Sequence, residues 1–227
     1  MKIPAKRLTN QIAAKIGRDI AAHRLKSGDI LPPDTVLCAE NGVSRVVMRE
    51  ALRILGAKGM VRAVPKAGTF ISPKSEWAMF DADVLDWIVR ETPAEKRREL
   101  LHELLDLRLM FEPGAAALAA SRASVEQRQR LSDAFQEVRQ SDVGISGRTA
   151  EFTYFKLMLE SSQNDFLAPL LRIYEISHEL IERIGHRYIR GFDFKPHERL
   201  TRAILNHDAA ASRASMQAVL LTMYVRN

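Results

Sequence analysis

The sequence predicts a mainly α protein, with an N-terminal winged helix-turn-helix followed by a C-terminal all-α helical bundle. Three observations carry this reading. Apolar residues recur at helical spacing, as in Leu8, Ile12, Ile16 and Ile20. Strand-like runs are confined to MVRAV (60–64) and GTFIS (68–72), joined through PKAG. Charge is split unevenly: residues 1–73 hold 13 Lys/Arg against 5 Asp/Glu, a net of +8, and residues 74–227 hold 21 against 23, a net of −2.

The elements follow in order. TNQIAAKIGRDIAAHRL is an amphipathic helix with Thr9 as its expected cap. KSGDILPP breaks it through Gly28 and Pro32–Pro33. Asp34 is then the expected N-cap of a short helix through Glu40 that buries Leu37 and Cys38, and Asn41–Gly42 is a turn. Ser44 caps the next helix, which ends around Gly59, and the two strands make a hairpin wing. From Ser75 the strand signal is gone. SEWAMFDADVLDWIVRE reads as helix, and a long helix from about 94 to 123 should kink at Pro113, which leaves the Leu109 carbonyl without its helical donor. Further helices are expected at 124–141, 149–162, 164–190, 197–207 and 208–225. The domains expected are 1–73, a DNA reader, and 74–227, a helical domain for effector binding and dimerisation.

With 46% hydrophobic and 27% charged residues the chain is globular rather than disordered. No apolar run approaches the ~20 residues of a membrane span, and MKIPAKRLTN has no apolar signal core. A lone cysteine, Cys38, makes no internal disulfide, so a reducing compartment, the cytoplasm, is expected.

Arg45, Arg49 and Arg53 form a row at four-residue spacing on the helix after the turn. In a helix-turn-helix the N-terminal end of that helix enters the major groove, where arginine grips guanine O6 and N7. Ser44, Arg45 and Arg49 lie at that end, and Arg53, one turn back, suits a phosphate. At the wing tip Lys66, Gly68 and Thr69 suit phosphates or the minor groove. A solvated basic face is the bland alternative; the turn, the wing and the net charge together favour double-stranded DNA.

LPPDTVLCAENGVSRVVMREALRILGAKGMVRAVPKAGTFIS resembles the DNA-binding domain of the GntR family of bacterial transcription regulators, over residues 8–72. The resemblance implies that Arg45 and Arg49 contact bases or nearby phosphates and that the wing tip enters the minor groove. Where the family often has Glu then Arg, this chain has Asp34 and Thr35, so a phosphate contact from Thr35 would be weaker than one from arginine.

In the bundle, polar residues sit on apolar stripes: Arg108 with Leu101, Leu104, Leu105 and Ala115; Glu151 with Tyr154, Phe155 and Met158; His178 among Leu171, Tyr174 and Ile181; His197 between Leu200 and Ile204. Such positions indicate an internal ion-pair network or a ligand pocket. DLRLMFEPGAAALAASRA, EFTYFKLMLESSQN and HERLTRAILNHDAAASRASM are similar to the all-α, FCD-like effector domain of the FadR-type branch, over roughly 80–222. That likeness implies that Arg108 binds an effector carboxylate. It also implies a divalent-metal site, here degraded to Glu151, Phe155, His197 and Val219, so no cofactor and no bound metal is expected. His178 lies on a suitable face, whereas His186 and His207 fall near helix ends.

The function expected is a ligand-responsive transcription regulator, a repressor acting as a homodimer on a palindromic operator and released by a small carboxylate such as a sugar acid. Two alternatives are a constitutive dimeric DNA binder with a vestigial pocket and a fatty-acyl-responsive regulator. An enzyme is not expected, because GxSxG, Walker and HExxH motifs are missing.

Overall fold

In the computed structural model, which describes residues 5–141, 145–184 and 194–223, the repeat of Leu8, Ile12, Ile16 and Ile20 lies on helix α1 (Ala5–Ala21). Thr9 is buried one turn inside this helix and is not its cap. Helix α2 (Asp34–Asn41) starts at Asp34 with Pro33, not Asp34, in the cap position; it buries Leu37 and leaves Cys38 half-buried. Helix α3 (Arg45–Ala57) is capped by Ser44, whose Oγ accepts from the Val47 N–H at 3.4 Å. Strands β1 (Val61–Val64) and β2 (Gly68–Ile71) pair antiparallel, Val61 opposite Ile71 and Val64 opposite Gly68.

The segment that reads only as a breaker does more. Gly28 N–H donates to Ile71 O, Ile71 N–H to Asp29 O and Leu31 N–H to Thr69 O, at 2.8–2.9 Å. Residues 28–31 thus cover the outer edge of β2, satisfying backbone groups that would otherwise be open.

Residues 75–91 are not one helix. A short 3-10 turn, Lys74–Glu76, is followed by an extended stretch, and helix α4 (Ala82–Glu91) begins only after Asp81, which accepts from the N–H groups of Asp83 and Val84. Trp87 of α4 packs into a notch at Gly17 of α1; a Cβ there would stand 2.2 Å from the ring.

Contacts divide the chain into two units, Met1–Pro93 and Ala94–Asn227. In the second, α5 (Arg97–Arg122) runs unbroken through Pro113. Helix α6 (Val125–Gln140) carries a reciprocal Ser124–Gln127 capping box. Helix α7 (Ile145–Ser161) starts earlier than expected, within the supposed turn, and α8 (Leu171–Ile184) starts later, after a 3-10 turn at Ala168–Leu170. Helices α9 (Phe194–Leu205) and α10 (Ala209–Met223) complete the unit. α5 packs against α7, α8, α9 and α10. His186 and the terminal VRN lie outside the described residues.

The junction between α9 and α10 is held by a buried cation. Arg128 donates to the carbonyls of Ile204 and Ala120 and, at 2.9 Å, to Nδ1 of His207, which sits at φ +59°. The Nδ1 of His207 must therefore be the unprotonated acceptor.

Candidate nucleic-acid interface and effector cluster

Helix α3 divides cleanly. Val47, Met48, Ala51 and Leu55 are buried, while Ser44, Arg45, Val46, Arg49 and Arg53 are exposed. Arg49 Nε donates to Asp34 Oδ2 at 3.2 Å, so the residue expected to cap α2 holds an arginine of α3 instead. Arg53 forks onto Glu50 at 2.9 and 2.6 Å; that hydrogen-bonded pairing holds the Glu50 carboxyl below its ordinary range. Both pairs are solvent-exposed and weak enough to yield to phosphate. Thr35 is exposed on the first turn of α2.

The wing tip is a tight turn with the Ala67 N–H bonded to Val64 O at 3.0 Å. Lys66 is exposed there at φ +62° and Gly68 at φ +117°; Thr69 is half-buried. A lysine held in the left-handed region is strained, a feature that gathers at functional positions.

In the second unit Arg108 is fully buried and already has a carboxylate. Its Nε donates to Glu112 Oε1 at 2.5 Å and its Nη2 to Oε2 at 3.2 Å. Its guanidinium lies 4.6 Å from the Tyr174 ring centre and 5.9 Å from that of Phe155. Burial pushes the Glu112 carboxyl up against the pull of the guanidinium.

Glu151 Oε1 stands 3.5 Å from His197 Nε2, an ion-pair distance longer than a good hydrogen bond. Burial would raise Glu151, but His197 beside it, then the charges of His178 and Arg108, outweigh this and hold it low. The His178 ring, half-buried, lies 4.3 Å from Tyr174. Burial, then the negative charge of Glu151, pushes the Tyr174 hydroxyl well up, and that hydroxyl has no hydrogen-bond partner among the described residues. Arg108, Glu151, Phe155, His178 and His197 are thus brought together. Val219 is fully buried in the apolar core that Phe155 also joins.

Two family profiles match the chain. The one described as bacterial regulatory proteins, gntR family, matches residues 8–71, and the FCD domain matches residues 103–222, more than half of the chain. The chain belongs to the GntR family, with an FCD domain.

The HTH-type transcriptional regulator YieP of Escherichia coli (strain K12) is 28% identical over 219 residues, 95% of this chain and 93% of that protein. The galactonate operon transcriptional repressor of the same strain is 27% identical over 216 residues, 93% of each. Among solved structures, Streptococcus agalactiae GntR matches with a TM-score of 0.51 at 21% identity, covering 94% of this chain and 97% of that one, which bears on the fold. This GntR-family protein is a DNA-binding transcription regulator, and its relatives are named as regulators rather than enzymes. No helix among the described residues is long and apolar enough to cross a membrane.

The family resemblance raises a divalent metal, and the side chains present do not fit one. Phe155 and Val219 carry no donor atom and are buried in the core. Glu151 and His197 supply two ligands where such a site takes three or four. Among the described residues no group of three His, Cys, Asp or Glu could hold an ion.

Glu112 escapes a reading by apolar stripe, although its spacing of four from Arg108 is the signature of a helical ion pair. The role of Asp34 escapes too, because nothing local pairs α2 with α3 across 15 residues.

Proposed function

We propose that this regulator is a repressor, acting as a homodimer on a palindromic operator and released by a small carboxylate, in the simplest case a sugar acid. Residues 1–73 are the reader and 74–227 the effector and dimerisation part. Ser44, Arg45 and Arg49 read or flank bases, while Thr35, Arg53, Lys66, Gly68 and Thr69 hold phosphates or the wing's groove.

The observation supporting an effector site is the buried cluster around Arg108, Glu112, Glu151, Tyr174 and His197, where a helical core is ordinarily apolar. The Tyr174 hydroxyl, without a hydrogen-bond partner among the described residues, is a donor available to a ligand. The name of the galactonate operon transcriptional repressor supports the ligand class. Arg108 would fork onto the incoming carboxylate as Glu112 yields, with Phe155 and Val219 as an apolar wall. An effector that favours one arrangement of the dimer's readers by ~1–3 kcal/mol changes operator affinity roughly 5–150-fold.

The test is a thermal-shift screen against sugar acids, small carboxylates and acyl thioesters, each with and without EDTA. A carboxylate is expected to raise the midpoint regardless of EDTA. Tyr174→Phe, which removes one oxygen and no buried charge, is expected to weaken that shift. A shift abolished by EDTA would contradict the metal-free site.

One observation favours a second reading. Because Glu112 already satisfies Arg108, the cluster also suits a sealed ion pair in a constitutive dimer. In that case no compound in the screen shifts the midpoint or the affinity for DNA.

A further inference from the structure

Val46 is the second residue of α3 and is 78% exposed. At 100° per residue it lies about 160° around the helix from the stripe of Met48, Ala51 and Leu55. Its neighbour Val47 is buried, so two adjacent valines face opposite environments. Single exposed apolar residues are common, and a β-branched residue contributes little to an exposed helix turn. The surroundings set Val46 apart: exposed Arg45 precedes it and exposed Arg49 follows one turn on, on the helix that a winged helix-turn-helix lays in the major groove.

An isopropyl group has neither donor nor acceptor. Against guanine, adenine or the cytosine amino group it would cover a polar edge and leave it without a partner. Thymine alone presents an apolar group on that edge, its C5-methyl.

We infer that Val46 is a specificity-determining residue that packs on a thymine C5-methyl in each operator half-site, beside the base gripped by Arg49. The inference rests on the DNA-reading role of α3. It adds an apolar reader to a surface otherwise described by its arginines, and it ties part of the operator preference to one methyl group.

The full-length protein selects sites from a random duplex library, and fluorescence anisotropy then measures affinity for the enriched duplex. Each thymine is replaced singly by deoxyuridine, which keeps every hydrogen-bonding atom and lacks the methyl. One thymine per half-site is expected to weaken binding about fivefold when replaced. Val46→Ala should bind the thymine duplex about fivefold more weakly and no longer distinguish thymine from deoxyuridine at that position. Since the side chain is exposed, the variant's unfolding midpoint should match that of the parent. An enriched site insensitive to deoxyuridine throughout, or a Val46→Ala protein that keeps the full discrimination, overturns the inference alone. Failure of the parent protein to enrich any sequence overturns the reading of α3 with it.

Discussion

Arg108 illustrates how much one residue's role depends on its neighbour. Fully buried, it carries a charge that Glu112 meets with two hydrogen bonds. Glu112→Ala is expected to cost about 3–5 kcal/mol in denaturant unfolding of the helical unit, because a buried guanidinium loses the carboxylate it forks onto. The double variant Arg108→Met/Glu112→Leu removes both charges and should recover most of that loss. A single Glu112→Ala variant as stable as the parent would mean that water or a further anion reaches Arg108. The arginine itself stands out in the sequence as a charge on an apolar face. Its partner is one turn along the same helix, but that the two meet rather than point apart is a matter of packing.

At the scale of elements, α4 is the instructive case. By sequence it belongs with the helices that follow the wing, yet it packs on α1, where Gly17 leaves room for Trp87. The same corner is fastened by Lys58, which reaches Asp81 at 2.6 Å and Asp83 at 2.9 Å. Burial pulls against the Asp81 carboxylate, but the Lys58 hydrogen bond outweighs it and holds the carboxyl below its ordinary range. A depressed carboxyl contributes stability that is present above the unfolded pKa of ~4 and is lost as pH falls through the folded value. Asp81→Ala removes this pair and the cap of α4 together, and should cost about 1–2 kcal/mol at pH 7. That cost should shrink toward pH 3, read as the midpoint of the N-terminal unit's unfolding across a pH series. A cost that stays constant with pH would assign the whole effect to the lost cap geometry.

At the scale of the whole molecule, the division of labour predicts separable phenotypes. Arg49→Ala is expected to lose operator binding while keeping any effector-induced thermal shift, since the exposed arginine pairs with Asp34 of α2 and lies outside the buried cluster around Arg108. Gel shift and thermal shift on the same protein check this, and retained operator binding would contradict the groove assignment of α3. The basic N-terminal third also predicts that affinity falls steeply with salt, as counterions are released from each phosphate contact.

Much of this was legible in the sequence. Periodicity places α1, α3, α5 and α6, the two β-rich runs and their turn make the wing, and the arginine row with its charge asymmetry points to DNA. These features are local, since a helix face or a hairpin is written in residues one to seven apart. Tertiary structure decided the rest. Asp34 turns from cap to arginine partner, Thr9 goes from cap to core, residues 28–31 become the edge of β2, and Glu151 and His197 meet across 46 residues. Whether a charge on an apolar face is answered by a neighbour or left for a ligand depends on which side chains arrive from distant helices, and no local pattern encodes that arrival.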